Sequence, residues 1–287
     1  MTAGMHEFLY KIPGITDGHR PGAHRSRSRG AGMAFAAHAR LFDYPDPRRI
    51  DLHASLSSLH RDWLVRTSQQ RSTVIIKVVV DVSASMHFGA RASKLDVVAD
   101  FLYALGYSAH RAGDAVSLMA FDHEFRDDLF MPARSGRGIG HAMAATLRAC
   151  TAGKVAGSLQ GLSECVDRIA GSGGLVFLVS DFHYSLDDLA TVLDKLGNLL
   201  VVPLVVWDKA EIEPPAQNGL LAVRDAESGR IRRLWLRHEL KRQWRDTVTR
   251  RRHEIGALFA ANDMRTFHIE DGFDPEGLSR YFLEQVV

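Results

Sequence analysis

Hydrophobic positions along this chain fall into two regimes, and the change comes at residue 73. Before it, apolar residues are scattered among Arg, His, Gly and Pro, with neither a helical stripe nor strand alternation. Residues 1–72 therefore read as an irregular, basic amino-terminal segment. Within it, Gly18–Gly32 carries His19, Arg20, His24, Arg25, Arg27 and Arg29, the composition of a loop or extended arm. Only Ser55–Leu64 suggests a short helix or strand. From residue 73 onward, short apolar runs alternate with helical stripes, as in a parallel sheet with crossover helices.

The run Val74–Val80 is β-branched and almost continuous, broken only by Lys77, and predicts a strand buried on both faces. Leu95, Val98, Phe101, Leu102 and Leu105 then recur at helical spacing over Lys94–His110. Gly113-Asp114 closes that helix, Ala115–Phe121 is a second strand, and Glu124–Met131 reads as its hairpin partner. A Gly-rich loop at Ser135–Gly140 leads to helices over 141–149 and about 158–170. Leu175–Ser180 is another buried strand and ends in Asp181. Ser185 or Asp187 is placed to cap a helix over 187–196, and Leu199–Trp207 is again strand-like. Residues 220–224 and 231–236 predict a hairpin around Glu227-Ser228-Gly229, followed by a long helix over 238–261 and a strand over 264–269. Asp274-Pro275 opens the last helix, with Asp as N-cap and Pro at the first helical position. Residues 73–287 thus predict a doubly wound α/β domain with a mostly parallel sheet, preceded by the arm.

Two of these buried strands end in acids. The first runs into Asp81-Val82-Ser83-Ala84-Ser85, and the other into Asp181. In open α/β sheets, ligands bind at the carboxyl ends of strands where the strand order reverses. If the two strands are neighbours, both carboxylates and the Ser83 and Ser85 hydroxyls share one crevice. Oxygens of this kind suit hard divalent cations. By average usage, Asp-x-Ser-x-Ser turns up in about one chain in ten of this length, so its position carries more weight than its pattern. Two acids only balance a dication and the hydroxyls add no charge, so a bound cation keeps an appetite for an incoming carboxylate. That is the chemistry of docking to a protein partner.

Composition narrows the classes. At 287 residues the chain can build a sizeable core, and its net charge of +2 gives no mandate for nucleic acid or membrane. Cys150 and Cys165 form no CxxC pair, which fits buried thiols in a reducing, cytoplasmic setting. No apolar run reaches membrane-spanning length. Gly136-Arg137-Gly138-Ile139-Gly140 lacks the Lys-Ser/Thr of a phosphate loop, and no Gly-x-Ser-x-Gly elbow is present. The fourteen histidines show no paired zinc spacing, although His87 and His183 lie beside the two acid-bearing loops. In helix 238–261, Leu240, Trp244, Val248, Ile255 and Leu258 form the inner stripe. Lys241, Arg242, Arg245, Arg250, Arg251 and Arg252 are then expected on a solvated face.

The Asp81–Met86 loop and the Leu175–Asp181 strand resemble the metal-ion-dependent adhesion site of von Willebrand factor A domains. Upstream, Arg20-Pro21-Gly22-Ala23-His24-Arg25-Ser26, Gly30-Ala31-Gly32-Met33-Ala34-Phe35 and Asp46-Pro47-Arg48-Arg49-Ile50-Asp51-Leu52-His53-Ala54-Ser55-Leu56 extend the likeness. Together they resemble a bacterial domain-of-unknown-function family with a von Willebrand A-like domain, associated with MoxR-type AAA+ ATPases. The resemblance spans roughly residues 18–270. The short form, with Ile12-Pro13-Gly14 near its start, is similar to accessory proteins of methanol-oxidation clusters.

This resemblance implies that Asp81, Ser83, Ser85 and Asp181 hold Mg²⁺ (or Mn²⁺ or Ca²⁺), completed by an Asp or Glu of a partner. The usual threonine ligand has no obvious counterpart; Ser158 is favoured for that place over Thr151. Arg48 and Arg49 are expected in salt bridges. The implied role is that of a non-enzymatic adaptor acting with a MoxR-type ATPase, or its client enzyme, in maturing an enzyme complex such as methanol dehydrogenase. The alternative is a metal-dependent hydrolase or phosphotransferase in the same crevice, with His87 or His183 as its base. A nucleic-acid role led by the 19–29 arm is a weaker third reading.

Overall fold

In the computed structural model, the region expected to be irregular is instead three antiparallel strands. Residues 7–10, 21–30, 34–43, 45–58, 62–151, 158–197, 199–224 and 230–284 are described. His19, Arg20, the Ala156-Gly157 pair and the Glu227–Gly229 turn lie outside them. β1 (Pro21–Gly30), β2 (Ala34–Arg40), the short helix α1 (Leu52–Leu56) and β3 (Leu64–Ser72) follow in sequence, with β3 central in the order β1-β3-β2. Among the described side chains of the three strands the fully buried apolar one is Val65, so the sheet leaves little hydrophobic pattern. Thr67 is buried beside Val65, its hydroxyl donating to the Ala37 carbonyl at 2.8 Å, while Ala37 and Ala39 are half-buried. The Asp46–Asp51 stretch makes two caps: Asp46 accepts from the Arg48 amide and pairs with Arg49 at 3.3 Å, and Asp51 caps α1 through the Ala54 amide.

Residues 12–74 with 112–114 form one unit, and residues 1–11, 75–111 and 115–287 form the other. The expected division at residue 72 differs at the amino end. Residues 7–10 belong to the second unit because Phe8 is buried there, stacked on Phe101 and edge-on to Phe177, with its amide donating to Ser108 Oγ at 3.1 Å.

The second unit is the expected doubly wound α/β fold. Its elements are β4 (Ile75–Asp81), α2 (Lys94–Ala112), β5 (Ala115–Phe121), β6 (Met131–Arg134), α3 (Ile139–Arg148), α4 (Leu159–Ile169), β7 (Leu175–Ser180), α5 (Leu189–Asp194) and β8 (Leu200–Trp207). After these come α6 (Lys209–Ile212), β9 (Gly219–Arg224), β10 (Ile231–Leu236), α7 (His238–Ala261), β11 (Phe267–Glu270) and α8 (Pro275–Glu284). Six strands make the main sheet in the order β11-β8-β7-β4-β5-β6, all parallel except the edge strand β6. From β4 the chain moves outward to β5, whereas β7, β8 and β11 build out on the other side. The strand order therefore reverses between β4 and β7, where a doubly wound sheet opens a crevice. Lys77, the one basic residue in β4, is accommodated by an ammonium that reaches the Gly173 carbonyl at 2.7 Å.

Three local expectations change. The partner of β5 is β6, shifted to 131–134, because Arg126 clasps Asp122 and Asp128 and winds residues 127–129 into a single turn of 3₁₀ helix. α5 begins at Leu189 with no side-chain cap, since Ser185 bonds Asp187 instead. The basic residues of α7 are not all solvated: Lys241 is buried, donating to the Ala216 carbonyl at 2.7 Å.

Helix α2 covers the sheet with most of its length buried and meets α3 at a pair of glycines. A Cβ on Gly106 would lie 2.2 Å from Gly140 Cα, so only two hydrogen side chains permit this approach. Alanine is favoured over glycine in a helix by about 1 kcal/mol, yet Gly106→Ala is expected to lower stability by about 1–3 kcal/mol through overpacking. Urea denaturation of the variant checks this; an unchanged or raised midpoint would refute the contact.

Candidate metal centre

The β-branched sequence of β4 and the apolar run of β7 pair in register, Val80 opposite Val179, and this brings their terminal residues together. Asp81, the last residue of β4, is fully buried. Its Oδ1 accepts the Ser83 amide at 2.9 Å, which folds the loop back on itself, and its Oδ2 accepts the Ser180 hydroxyl from β7 at 2.7 Å. Burial and the neighbouring Asp181 charge push the Asp81 carboxyl up to about 7, against the lowering effect of these hydrogen bonds. The Ser83 and Ser85 hydroxyls lie 3.2 Å apart, and Ser85 is among the groups that hold the Asp181 carboxyl down.

Asp181 is equally buried but differently compensated. Its Oδ2 meets Lys94 Nζ at 2.7 Å, and its Oδ1 accepts the His183 amide at 3.2 Å. Burial pushes this carboxyl up, but the Lys94 ammonium, His183 and the Ser85 hydroxyl together outweigh that and hold it below the usual range. The same ammonium donates to Glu211 Oε1 at 2.8 Å. Burial works against the charge on Lys94, and the two carboxylates together reverse that and raise its pKa.

The walls are pinned by backbone contacts. Trp207 Nε1 donates to the Asp181 carbonyl at 2.8 Å, and Arg251 of α7 donates to the carbonyls of Phe182 and Tyr184. Phe182 has φ +52°, a left-handed conformation that costs a non-glycine residue about 1–2 kcal/mol. Asp208 caps α6 and also accepts the Ala90 amide at 3.0 Å, tying the loop after Ser85 to the end of β8. His183 stacks on Trp207 with ring centroids 5.8 Å apart, its Nε2 lying 3.9 Å from Glu211 and 4.0 Å from Asp181.

The structure thus brings Asp81, Ser83, Ser85 and Asp181 into one cluster. Ser158 makes no hydrogen bond to those four and lies by Asp122, one residue beyond the Phe121 that pairs with Asp81. It caps α4, its hydroxyl accepting the Gly161 amide at 3.2 Å and donating to the His123 carbonyl at 2.9 Å, and its own amide is on Asp122, past the end of β5. Lys94 and Glu211 join the cluster without any motif to announce them. The only available signal for Lys94 is its place at the first turn of the helix after the Asp-x-Ser-x-Ser loop.

The donor chemistry fits a hard divalent cation. Among the described residues no group of three or more His, Cys, Asp or Glu could hold a metal, so the carboxylates on offer are the pair Asp81 and Asp181, the latter already on the Lys94 ammonium. Two hydroxyls complete a set of oxygen donors.

Fold and site together define a doubly wound α/β protein with an acidic, hydroxyl-lined cluster at its topological switch point. Residues 46–254 match the family described as "Protein of unknown function DUF58", and the chain belongs to that family. No curated protein matches it in sequence. Among solved structures, BatB from Bacteroides thetaiotaomicron is similar at 12% identity and a TM-score of 0.44, over 74% of this chain and 98% of that one. An aerotolerance-related membrane protein from Bacteroides fragilis is similar at 14% identity and a TM-score of 0.44, with the same coverage. The VWA domain of SpRpn10 is similar at 10% identity and a TM-score of 0.36, over 74% of this chain and 95% of that domain. No helix among the described residues is long and apolar enough to cross a membrane.

Ser180→Ala removes the hydroxyl that satisfies both Asp81 Oδ2 and the Phe182 amide. With two buried groups left unpaired, it is expected to cost about 1–3 kcal/mol or more in unfolding free energy. Denaturant titration reads the loss, and a neutral result would show that these bonds are not formed.

Proposed function

We propose that this protein is an interaction module whose contact point is a divalent cation held by Asp81, Ser83, Ser85 and Asp181. The observation that carries this reading is the convergence of those four side chains at the switch point, on strands fixed by a buried core. Bound there, Mg²⁺ would supply an open coordination position with residual attraction for a carboxylate. The chain's own residues do the rest. Asp81 organises the loop through the Ser83 amide, Ser83 and Ser85 present paired hydroxyls, and Asp181 brings the second carboxylate. The Ser158 hydroxyl accepts one amide in capping α4, which would leave its second lone pair for the cation.

The partner would offer an Asp or Glu to the crevice. In keeping with the family resemblance, we assign that role to a MoxR-type AAA+ ATPase or its client, acting in the maturation of an enzyme complex. For a chain of the MxaS type the client would be methanol dehydrogenase. We read the site as non-catalytic: of the two bases a hydrolase could use, His183 lies flat on Trp207 as part of the wall and the His87 Nε2 is buried.

Asp81→Ala is expected to abolish Mg²⁺-dependent capture of a MoxR-type ATPase in a pull-down, and EDTA is expected to do the same to the unaltered protein. Capture that survives both treatments would overturn the proposal.

A further inference from the structure

The cluster already contains a cation of its own. Lys94 Nζ lies 2.7 Å from Asp181 Oδ2 and 2.8 Å from Glu211 Oε1, and the lysine and Asp181 side chains are only 2% and 1% exposed. A dication drawn to Asp181, Ser83 and Ser85 would meet this ammonium on the same carboxylate, and like charges at such range in a protein interior repel strongly. The lysine has somewhere to go. Glu211 is 22% exposed, already holds the same ammonium, and sits on the rim of the crevice, not its floor. Its position is fixed independently of Lys94: Oε2 accepts the Asp208 amide at 3.1 Å in the capping box of α6, and its carbonyl accepts Trp244 Nε1 of α7 at 2.7 Å.

We infer that Lys94 is a tethered competitor for the divalent cation, and that Glu211 is the counter-ion onto which it withdraws when a cation enters. The inference rests on the proposed reading of the cluster as a cation site and adds how that site is regulated. Without a divalent ion, Lys94 bridges Asp181 and Glu211, so the buried Asp181 carboxylate is not left unpaired. With one, the ammonium keeps Glu211 and yields Asp181. The bridge lets the metal-free protein stay folded and sets a concentration threshold for loading. It also makes Glu211, and through it α6 and the Trp244 contact with α7, sensitive to the state of the crevice.

Mn²⁺ binding to the full-length protein, measured by calorimetry and by the electron paramagnetic resonance of the free ion, tests this without any partner. Lys94→Met removes the competitor and is expected to tighten Mn²⁺ binding about tenfold or more. Lys94→Gln removes the charge while keeping a donor between the two carboxylates. It is expected to shift in the same direction, and it is the variant to rely on if the methionine form fails to fold. Glu211→Gln takes away the retreat and is expected to weaken binding about tenfold in the unaltered background, but to change it little alongside Lys94→Gln. Charge-neutral Lys94 variants that bind Mn²⁺ no tighter than the unaltered protein would overturn the competitor role while leaving the cation site intact. A full loss from Glu211→Gln in the Lys94→Gln background would instead show Glu211 acting on the cation itself, and would overturn the retreat. Absence of Mn²⁺ binding in every form would remove the cation reading as well.

Discussion

Two carboxylates buried side by side at the ends of adjacent parallel strands are the constraint on which the site depends. Asp81 and Asp181 reach this position because Val-rich and Leu/Phe/Val-rich strands belong in the middle of a sheet covered on both faces. The carboxyl end of such a strand opens where the chain turns away, and there an acid is dehydrated without being sealed in. Burying a charge without a partner is strongly unfavourable. Each acid is therefore compensated, and in different ways. Asp81 takes neutral donors from Ser83 and Ser180 and holds its proton up to about 7, whereas Asp181 takes the Lys94 ammonium and stays ionised. The asymmetry leaves a cluster that is stable as it stands and still carries unbalanced negative charge.

Around this pair, long-range contacts hold the loops where short-range preferences would not. The turn after Asp181 passes through a left-handed phenylalanine, a conformation that persists only where surrounding structure over-determines it. Here the determinants are Trp207 on the Asp181 carbonyl, Arg251 on the next carbonyls, and Phe259 packed edge-on against the Phe182 ring. The loop after Ser85 is held by Asp208 through Ala90. A docking site benefits from such preorganisation, because ordering loops at the moment of binding subtracts from affinity.

Glycine packing serves the same end from a distance. The close approach at Gly106 and Gly140 lets α2 lie deep against its neighbours, and Lys94 is the first residue of that helix. The aromatic cluster of Phe8, Phe101, Phe177 and Phe273 holds the body of α2 on the sheet. The depth at which the lysine ammonium enters the crevice is thus set by apolar packing along nineteen residues of helix.

Much of this was legible from residues alone. Buried strands announce themselves by continuous β-branched runs, so β4, β5, β7 and β8, and the acids that end two of them, follow from local pattern. The Asp81, Ser83 and Ser85 cluster could be placed because a single loop carries it, and Asp181 because strand ends gather at a sheet's switch point. The antiparallel strands at 21–30, 34–40 and 64–72 could not, because among their described side chains the fully buried apolar one is Val65, and a single valine leaves little hydrophobic signal. The Lys94, Glu211 and Arg251 contacts were equally hidden. Long charged side chains on helices look alike in sequence whether they meet solvent or an acid far along the chain. Ser158 showed the converse limit: a hydroxyl at a helix start suits a ligand and a cap equally well, and the structure shows the cap it makes on α4. The sequence by itself determined which oxygens are offered, because strand burial and loop spacing are local. Only the tertiary structure decided what charge they already hold, because that charge arrives from helices that reach the crevice through packing.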